Sequence, residues 1–131
     1  MLSITTKSPY AVAALAELGR AGEEGPVPIS ELARRREIPV QFLEQLFASL
    51  RRAGVLRSFR GVGGGYLFAR TPDTISVLEI VELIDGPLGA DTTGVFADAA
   101  EAARAVLTST TLADVIEREA LEGGAAAMYY I

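Results

Sequence analysis

Residues 29–70 read ISELARRREIPVQFLEQLFASLRRAGVLRSFRGVGGGYLFAR, and the order of signals in that stretch selects the fold. Ser30 serves as N-cap of a short helix through SELARRRE, with Leu32 and Ala33 turned inward and Arg34, Arg35 and Arg36 mostly outward. Ile38-Pro39 closes that helix, because proline pushes the residue before it out of the helical region. Leu43, Leu46, Phe47 and Leu50 then form one apolar face, which predicts a second helix over about residues 40–53, stopped by Gly54. The apolar and aromatic runs VLRSF and YLFAR flank Arg60-Gly61-Val62-Gly63-Gly64-Gly65, the pattern of a β-hairpin with a glycine-rich tip.

Upstream, Ser8-Pro9 reads as N-cap and first-turn proline of a helix whose stripe is Ala11, Ala14, Leu15 and Leu18, ended by Gly22 and the EEGP segment. Helix, helix, helix, hairpin is the order of a winged helix. The expected fold class is therefore mainly α with a small β-hairpin wing, a winged helix-turn-helix followed by a helical segment. Downstream, Ser76 to Glu79 is a capping box opening a helix with Val77, Ile80, Val81 and Ile84 on one face, closed by Gly86-Pro87. LGADTTG then leads into an alanine-rich helix, VFADAAEAARAVL, whose small residues permit close approach to another helix. A last helix begins at Thr111-Leu112-Ala113-Asp114 and is expected to stop at Gly123-Gly124, with AAAMYYI trailing after it. The expected organisation is a DNA-binding domain over 1–72, a helical dimerisation or effector segment over 73–122, and a flexible tail over 123–131.

The 131 residues carry a net charge of −5, but the charge is divided unevenly. Residues 1–72 hold ten Lys+Arg against six Asp+Glu, a net +4, and residues 73–131 hold two against eleven, a net −9. Only the first part suits a polyanion. The chain has no cysteine and no histidine, which removes disulfides, Cys/His zinc sites, thiolate-ligated clusters and His-dependent nucleophilic triads. No pairing of the remaining Asp, Glu, Tyr or Lys side chains suggests chemistry, so no enzyme, no metal and no cofactor are expected. No stretch approaches the ~20 apolar residues of a membrane span, and the opening MLSITTKSPY lacks the layout of a signal peptide. A cytoplasmic protein without a membrane role is the expectation.

In a helix-turn-helix the second helix enters the major groove by its N-terminal residues. Here that element begins at Pro39, Val40 and Gln41. Gln41 and Gln45 suit adenine edges, Glu44 suits cytosine N4, and Val40 suits a thymine methyl. The same residues would equally make an ordinary solvated helix face. Glycines at the hairpin tip allow close approach to phosphate or a narrow minor groove, with Arg60 at the base as an inserting cation.

ISELARRREIPVQFLEQLFASLRRAGVLRSFRGVGGGYLFAR followed by ISVLEIVELIDGPL resembles the Rrf-two (IscR/NsrR/CymR) family of bacterial winged-helix transcription regulators. LEQL (43–46), LRRAG (50–54) and RGVGGGY (60–66) stand in family order and spacing, and the likeness runs over about residues 4–121. The resemblance implies a homodimer, held by the alanine-rich helix after Gly94, on an inverted repeat of double-stranded DNA, acting as a repressor. It implies Gln41, Phe42 and Glu44 at or beside the bases, Arg60 and Gly61 in the wing, and Thr5, Lys7 and Tyr10 at phosphates. Arg51 and Arg52 join the phosphate set. Pro9 departs from the arginine many relatives carry.

Cluster-binding members of the family have three cysteines after the GPL segment, whereas here Gly89-Ala90-Asp91-Thr92-Thr93-Gly94 supplies none. The chain is in this respect similar to the family's cluster-free cysteine-metabolism repressor, which works with cysteine synthase (O-acetylserine sulfhydrylase). The tail Met128, Tyr129, Tyr130 and Ile131 resembles that repressor's last residues and would present an isoleucine carboxylate to the enzyme, by a known mode of carboxylate capture. Packing of the same tail on its own dimer is the other reading. A protein-protein adaptor using a winged helix without DNA is the alternative function.

Overall fold

The computed structural model describes residues 3–21 and 24–129. Its elements run α1 (Lys7–Ala21), α2 (Ile29–Arg36), α3 (Val40–Arg52), β1 (Leu56–Phe59), β2 (Gly65–Phe68), a 3-10 turn at Pro72–Thr74, α4 (Val77–Asp85), α5 (Val95–Ser109) and α6 (Leu112–Tyr129). The mainly helical fold with a two-stranded wing is the one the sequence predicts. Ala11, Ala14, Leu15 and Leu18 of α1 are fully buried, and they meet Leu32 of α2, Leu43, Phe47 and Leu50 of α3, Ile80 of α4 and Leu112 of α6 in one core. Burying each large apolar side chain contributes roughly 1.5–3 kcal/mol before entropy is counted.

Helices α2 and α3 end by the same device. At the end of α3, Gly54 takes the left-handed conformation at φ 82, its N–H reaches the Arg51 carbonyl at 3.1 Å, and the Val55 N–H reaches back to Leu50 at 3.0 Å. Val55 is then fully buried, which completes a Schellman cap with its apolar contact. Helix α2 closes likewise with Glu37 at φ 54 and the Ile38 N–H on the Ala33 carbonyl at 2.9 Å. Among the described residues Glu37 is the only non-glycine residue at positive φ, so α2 stops one residue before the Ile38-Pro39 signal.

The wing pairs Leu56 with Phe68 and Phe59 with Gly65 in antiparallel register. It is fastened by a bridge outside the hairpin: Tyr66 donates its N–H to the Val27 carbonyl at 2.8 Å and its carbonyl accepts the Val27 N–H at 3.1 Å. A Cβ on Gly65 would overlap the Val27 backbone, so only glycine permits this approach. Ser76 and Thr111 form a second bridge, joining the starts of α4 and α6.

Three boundaries and one half of a capping box differ from expectation. Ser8 is not an N-cap but lies inside α1, buried, with its hydroxyl donated to Asp85 of α4 at 2.5 Å. Ser30 sits within α2, whose N-cap is Pro28. Ser76 caps α4 by accepting the Glu79 N–H at 3.1 Å, but the Glu79 carboxylate pairs with Arg70 instead of returning to Ser76, so only half the box forms. Helix α6 continues through Gly123 to Tyr129 where a stop and a flexible tail are predicted. Two glycines cost about 1 kcal/mol each in a helix interior, and the following Ala-Ala-Ala-Met are strong helix formers that oppose that cost.

Glu37 is exposed and held in a conformation that costs an L residue roughly 1–2 kcal/mol. Glu37→Gly should therefore stabilise the protein by about 1 kcal/mol, read as an increased denaturation midpoint with unchanged slope.

Candidate nucleic-acid interface

The first turns of α3 bury Leu43 and Leu46 and leave Pro39, Val40, Gln41, Glu44 and Gln45 exposed. Among the described residues the side chains of Gln41, Glu44 and Gln45 make no hydrogen bond, so their donors and acceptors are free for a ligand. Phe42 is differently disposed. It is half-buried and meets Tyr10 edge-on at 5.7 Å between ring centres and 85° between planes, which ties α3 to α1. Tyr10 keeps enough exposure, 39%, for its hydroxyl edge to reach solvent.

At the other end of α3, Arg51 and Arg52 are exposed, and Arg51 lies 3.5 Å from the Ser58 hydroxyl of β1. Arg60 and Gly61 stand exposed at the start of the hairpin turn. The turn is closed by the Gly64 N–H on the Gly61 carbonyl at 3.0 Å. Tyr66 packs its ring on Phe47 of α3 at 5.1 Å, which seats the wing against that helix. Arg57, absent from the sequence-based set, has its guanidinium 5.6 Å from the centre of the Phe59 ring. Strand alternation could have found it, since Arg57 and Phe59 face away from Leu56 and Ser58.

The arginines of α2 are otherwise engaged. Arg34 and Arg35 bind Glu31, with Arg35 also reaching Glu17 at 3.3 Å. Arg36 joins Glu17 at 2.9 Å to Glu119 of α6 at 2.5 Å. The hydrogen bonds from Arg34 and Arg35 hold the Glu31 carboxyl below its usual range. Among the described residues, the first 72 positions thus offer Lys7, Arg20, Arg51, Arg52, Arg57 and Arg60 without an ion pair.

Thr5 precedes α1 and Lys7 begins it, both near Asp85. Asp85 accepts the Thr5 N–H at 3.2 Å, the Thr5 hydroxyl at 2.5 Å and the Ser8 hydroxyl at 2.5 Å. The Thr5 hydroxyl proton is therefore committed, and at a phosphate Thr5 would contribute through position and not as a donor. Burial pushes the Asp85 carboxyl up, but the Ser8 and Thr5 hydrogen bonds together with nearby Lys7 outweigh it and the net direction is down. Of the tail, Met128 and Tyr129 belong to the α6 backbone, and Tyr130 and Ile131 lie outside the described residues. The segment between α4 and α5 offers Asp91, Thr92 and Thr93, and the Thr92 hydroxyl is donated to the Gly89 carbonyl at 2.6 Å. Such a donor set does not fit an iron–sulfur cluster, which needs thiolates or imidazoles.

Comparison with known proteins places this geometry in context. The model of the Rrf2 family, described as an iron-dependent transcriptional regulator, matches residues 4–94. The transcriptional regulator IscR of Aliivibrio salmonicida is 40% identical over 84 residues, covering 64% of this chain and 50% of that protein. The chain thus spans about half the length of the curated relative it matches. The structure of CymR, the global cysteine regulator of B. subtilis, superposes with a TM-score of 0.81 at 32% identity, over 90% of this chain and 98% of that one. IscR of T. potens gives a TM-score of 0.79 at 37% identity, over 90% and 88%. No helix among the described residues is long and apolar enough to cross a membrane.

Because the folded Asp85 carboxyl is lowered, its contribution to stability is complete above the ordinary aspartate range, near pH 4, and is lost as pH falls through the folded value. Asp85→Asn should be less stable at neutral pH and lose less stability on acidification, measured as denaturation midpoints between about pH 7 and pH 3.

Proposed function

Because the chain belongs to the Rrf2 family of transcriptional regulators, we propose that it acts in the cytoplasm as a homodimeric repressor bound to an inverted-repeat operator. The observation that carries this reading is the polar row Gln41, Glu44 and Gln45 on α3, without hydrogen-bond partners among the described residues, packed through Phe47 and Tyr66 against a hairpin whose Arg57 and Arg60 have no ion pair among them. Pro39 and Val40 lead the helix into the major groove, and Arg60 and Gly61 enter the adjoining minor groove. Lys7, Tyr10, Arg51 and Arg52 take phosphates, with Thr5 holding the start of α1.

Helix α5 supports the dimer. Only Ala100 of its described residues is buried, and Val95, Phe96 and Val106 are 70%, 64% and 63% exposed. Val95, Ala99, Ala102 and Val106 are all exposed at spacings of four, three and four residues, the seam of a helix that packs against another. Two copies joined there would present two recognition helices, which one subunit's small surface requires for specific affinity.

Likeness to the cysteine regulator of B. subtilis supports a narrower reading. On it, the operator controls cysteine or sulfur metabolism genes, and Met128, Tyr129, Tyr130 and Ile131 engage cysteine synthase.

Selection of bound sequences from random DNA should return a two-fold repeat. Glu44→Ala should change the preferred bases, and Arg60→Ala should weaken binding and lower the slope of log affinity against log salt by ~1. Ala102→Arg should give a monomer by light scattering and abolish operator binding. Failure of selected DNA to bind at all, with the fold and dimer intact, would favour the adaptor. Deleting residues 128–131 should remove cysteine synthase binding in calorimetry while leaving the dimer and the DNA affinity unchanged.

A further inference from the structure

Val62 is fully exposed at the tip of the wing, more so than any other large apolar side chain among the described residues. It stands between Gly61 at φ 89 and Gly63 at φ 77, so the turn projects a single side chain between two bare backbone positions. The turn is also tight. The Gly64 N–H is bound to the Gly61 carbonyl at 3.0 Å, and a Cβ on Gly64 would collide with the Phe59 carbonyl. A tight turn that holds an isopropyl group in water gains no burial from it, since Val62 covers nothing among the described residues.

The charge around it says what the tip meets. No carboxylate occurs between Glu44 and Asp73, while Arg51, Arg52, Arg57 and Arg60 precede the turn and have no ion pair among the described residues; Arg70, after it, is paired with Glu79. An apolar tip on a purely cationic hairpin suits the minor groove, whose walls are deoxyribose and whose rims are phosphate. It is poorly suited to an apolar protein surface, where uncompensated arginines would lose water.

We propose that Val62 is a specificity-determining residue that selects A·T over G·C pairs beneath the wing. This rests on the winged-helix reading of DNA binding given above. In the minor groove A·T and T·A present only acceptors, whereas G·C adds the guanine N2 amino donor. An isopropyl group strips water from the acceptors of any pair, but over G·C it also crowds and dehydrates the N2 amino donor and offers it no acceptor, so the cost over G·C exceeds that over A·T. Arg60 favours narrow, A·T-rich grooves for a separate electrostatic reason, so the two effects need separating.

The experiment uses the full chain and a selected operator whose flanks are rebuilt as A·T, G·C or inosine·C, the last lacking the N2 amino group. The wild type should bind A·T and inosine·C flanks alike and G·C flanks about three- to tenfold more weakly. Val62→Gly and Val62→Ser, neither of which touches the core, should shrink the G·C penalty to about twofold, the remainder being the share that Arg60 sets. Retention of the G·C penalty in both variants would assign it to Arg60 and groove width and overturn the proposal, as would equal binding of all flanks by the wild type. Absence of any hydroxyl-radical protection over the flanks, with no effect of Arg60→Ala, would instead overturn the wing's contact with DNA and the proposal with it.

Discussion

The two backbone hydrogen bonds exchanged by Val27 and Tyr66 decide where the wing stands, and the interface depends on that position. A two-stranded hairpin of four residues a strand is marginal in water by itself. Here β2 is held on one side by the connection between α1 and α2 and on the other by the Tyr66 ring against Phe47. Phe47 is fully buried on α3, so the wing inherits the rigidity of the core. Arg60 and the exposed face of α3 are thereby presented at a set separation, which the proposed occupation of adjacent grooves requires.

Electrostatics sorts the arginines into two populations. Those of α2 are spent inside the protein, with Arg36 bridging α1 and α6 through Glu17 and Glu119. This network fastens α6 over the helix-turn-helix and leaves α2 with little free charge. Those of the α3 terminus and hairpin have no carboxylate near them in sequence. A chain of net charge −5 can therefore show DNA a cationic surface, because affinity depends on local unpaired charge and not on the total.

Much of this was legible in the residues alone. The periodicity of Leu43, Leu46, Phe47 and Leu50 determined α3, Gly54 its end, and the RGVGGGY run the hairpin, because each is a local rule about burial or backbone freedom. Thr111 and Asp114 likewise form the reciprocal cap that their spacing announces, at 2.9 and 3.1 Å. The absence of thiols and imidazoles excluded a cluster site by inventory.

What only the tertiary structure decided are the partners of residues distant in the chain. Ser8 carries the local signature of a cap, yet its hydroxyl goes to Asp85, 77 positions away, because α4 packs against the start of α1. Arg36 looks like part of a basic patch until Glu17 and Glu119 are brought to it. Phe42 turns to Tyr10, and Val27 becomes a strand partner of Tyr66, for the same reason. Local sequence sets which conformation a segment prefers, since that depends on its own side chains and backbone. Which polar groups find each other depends on how buried apolar faces meet, and that is settled only when the helices pack.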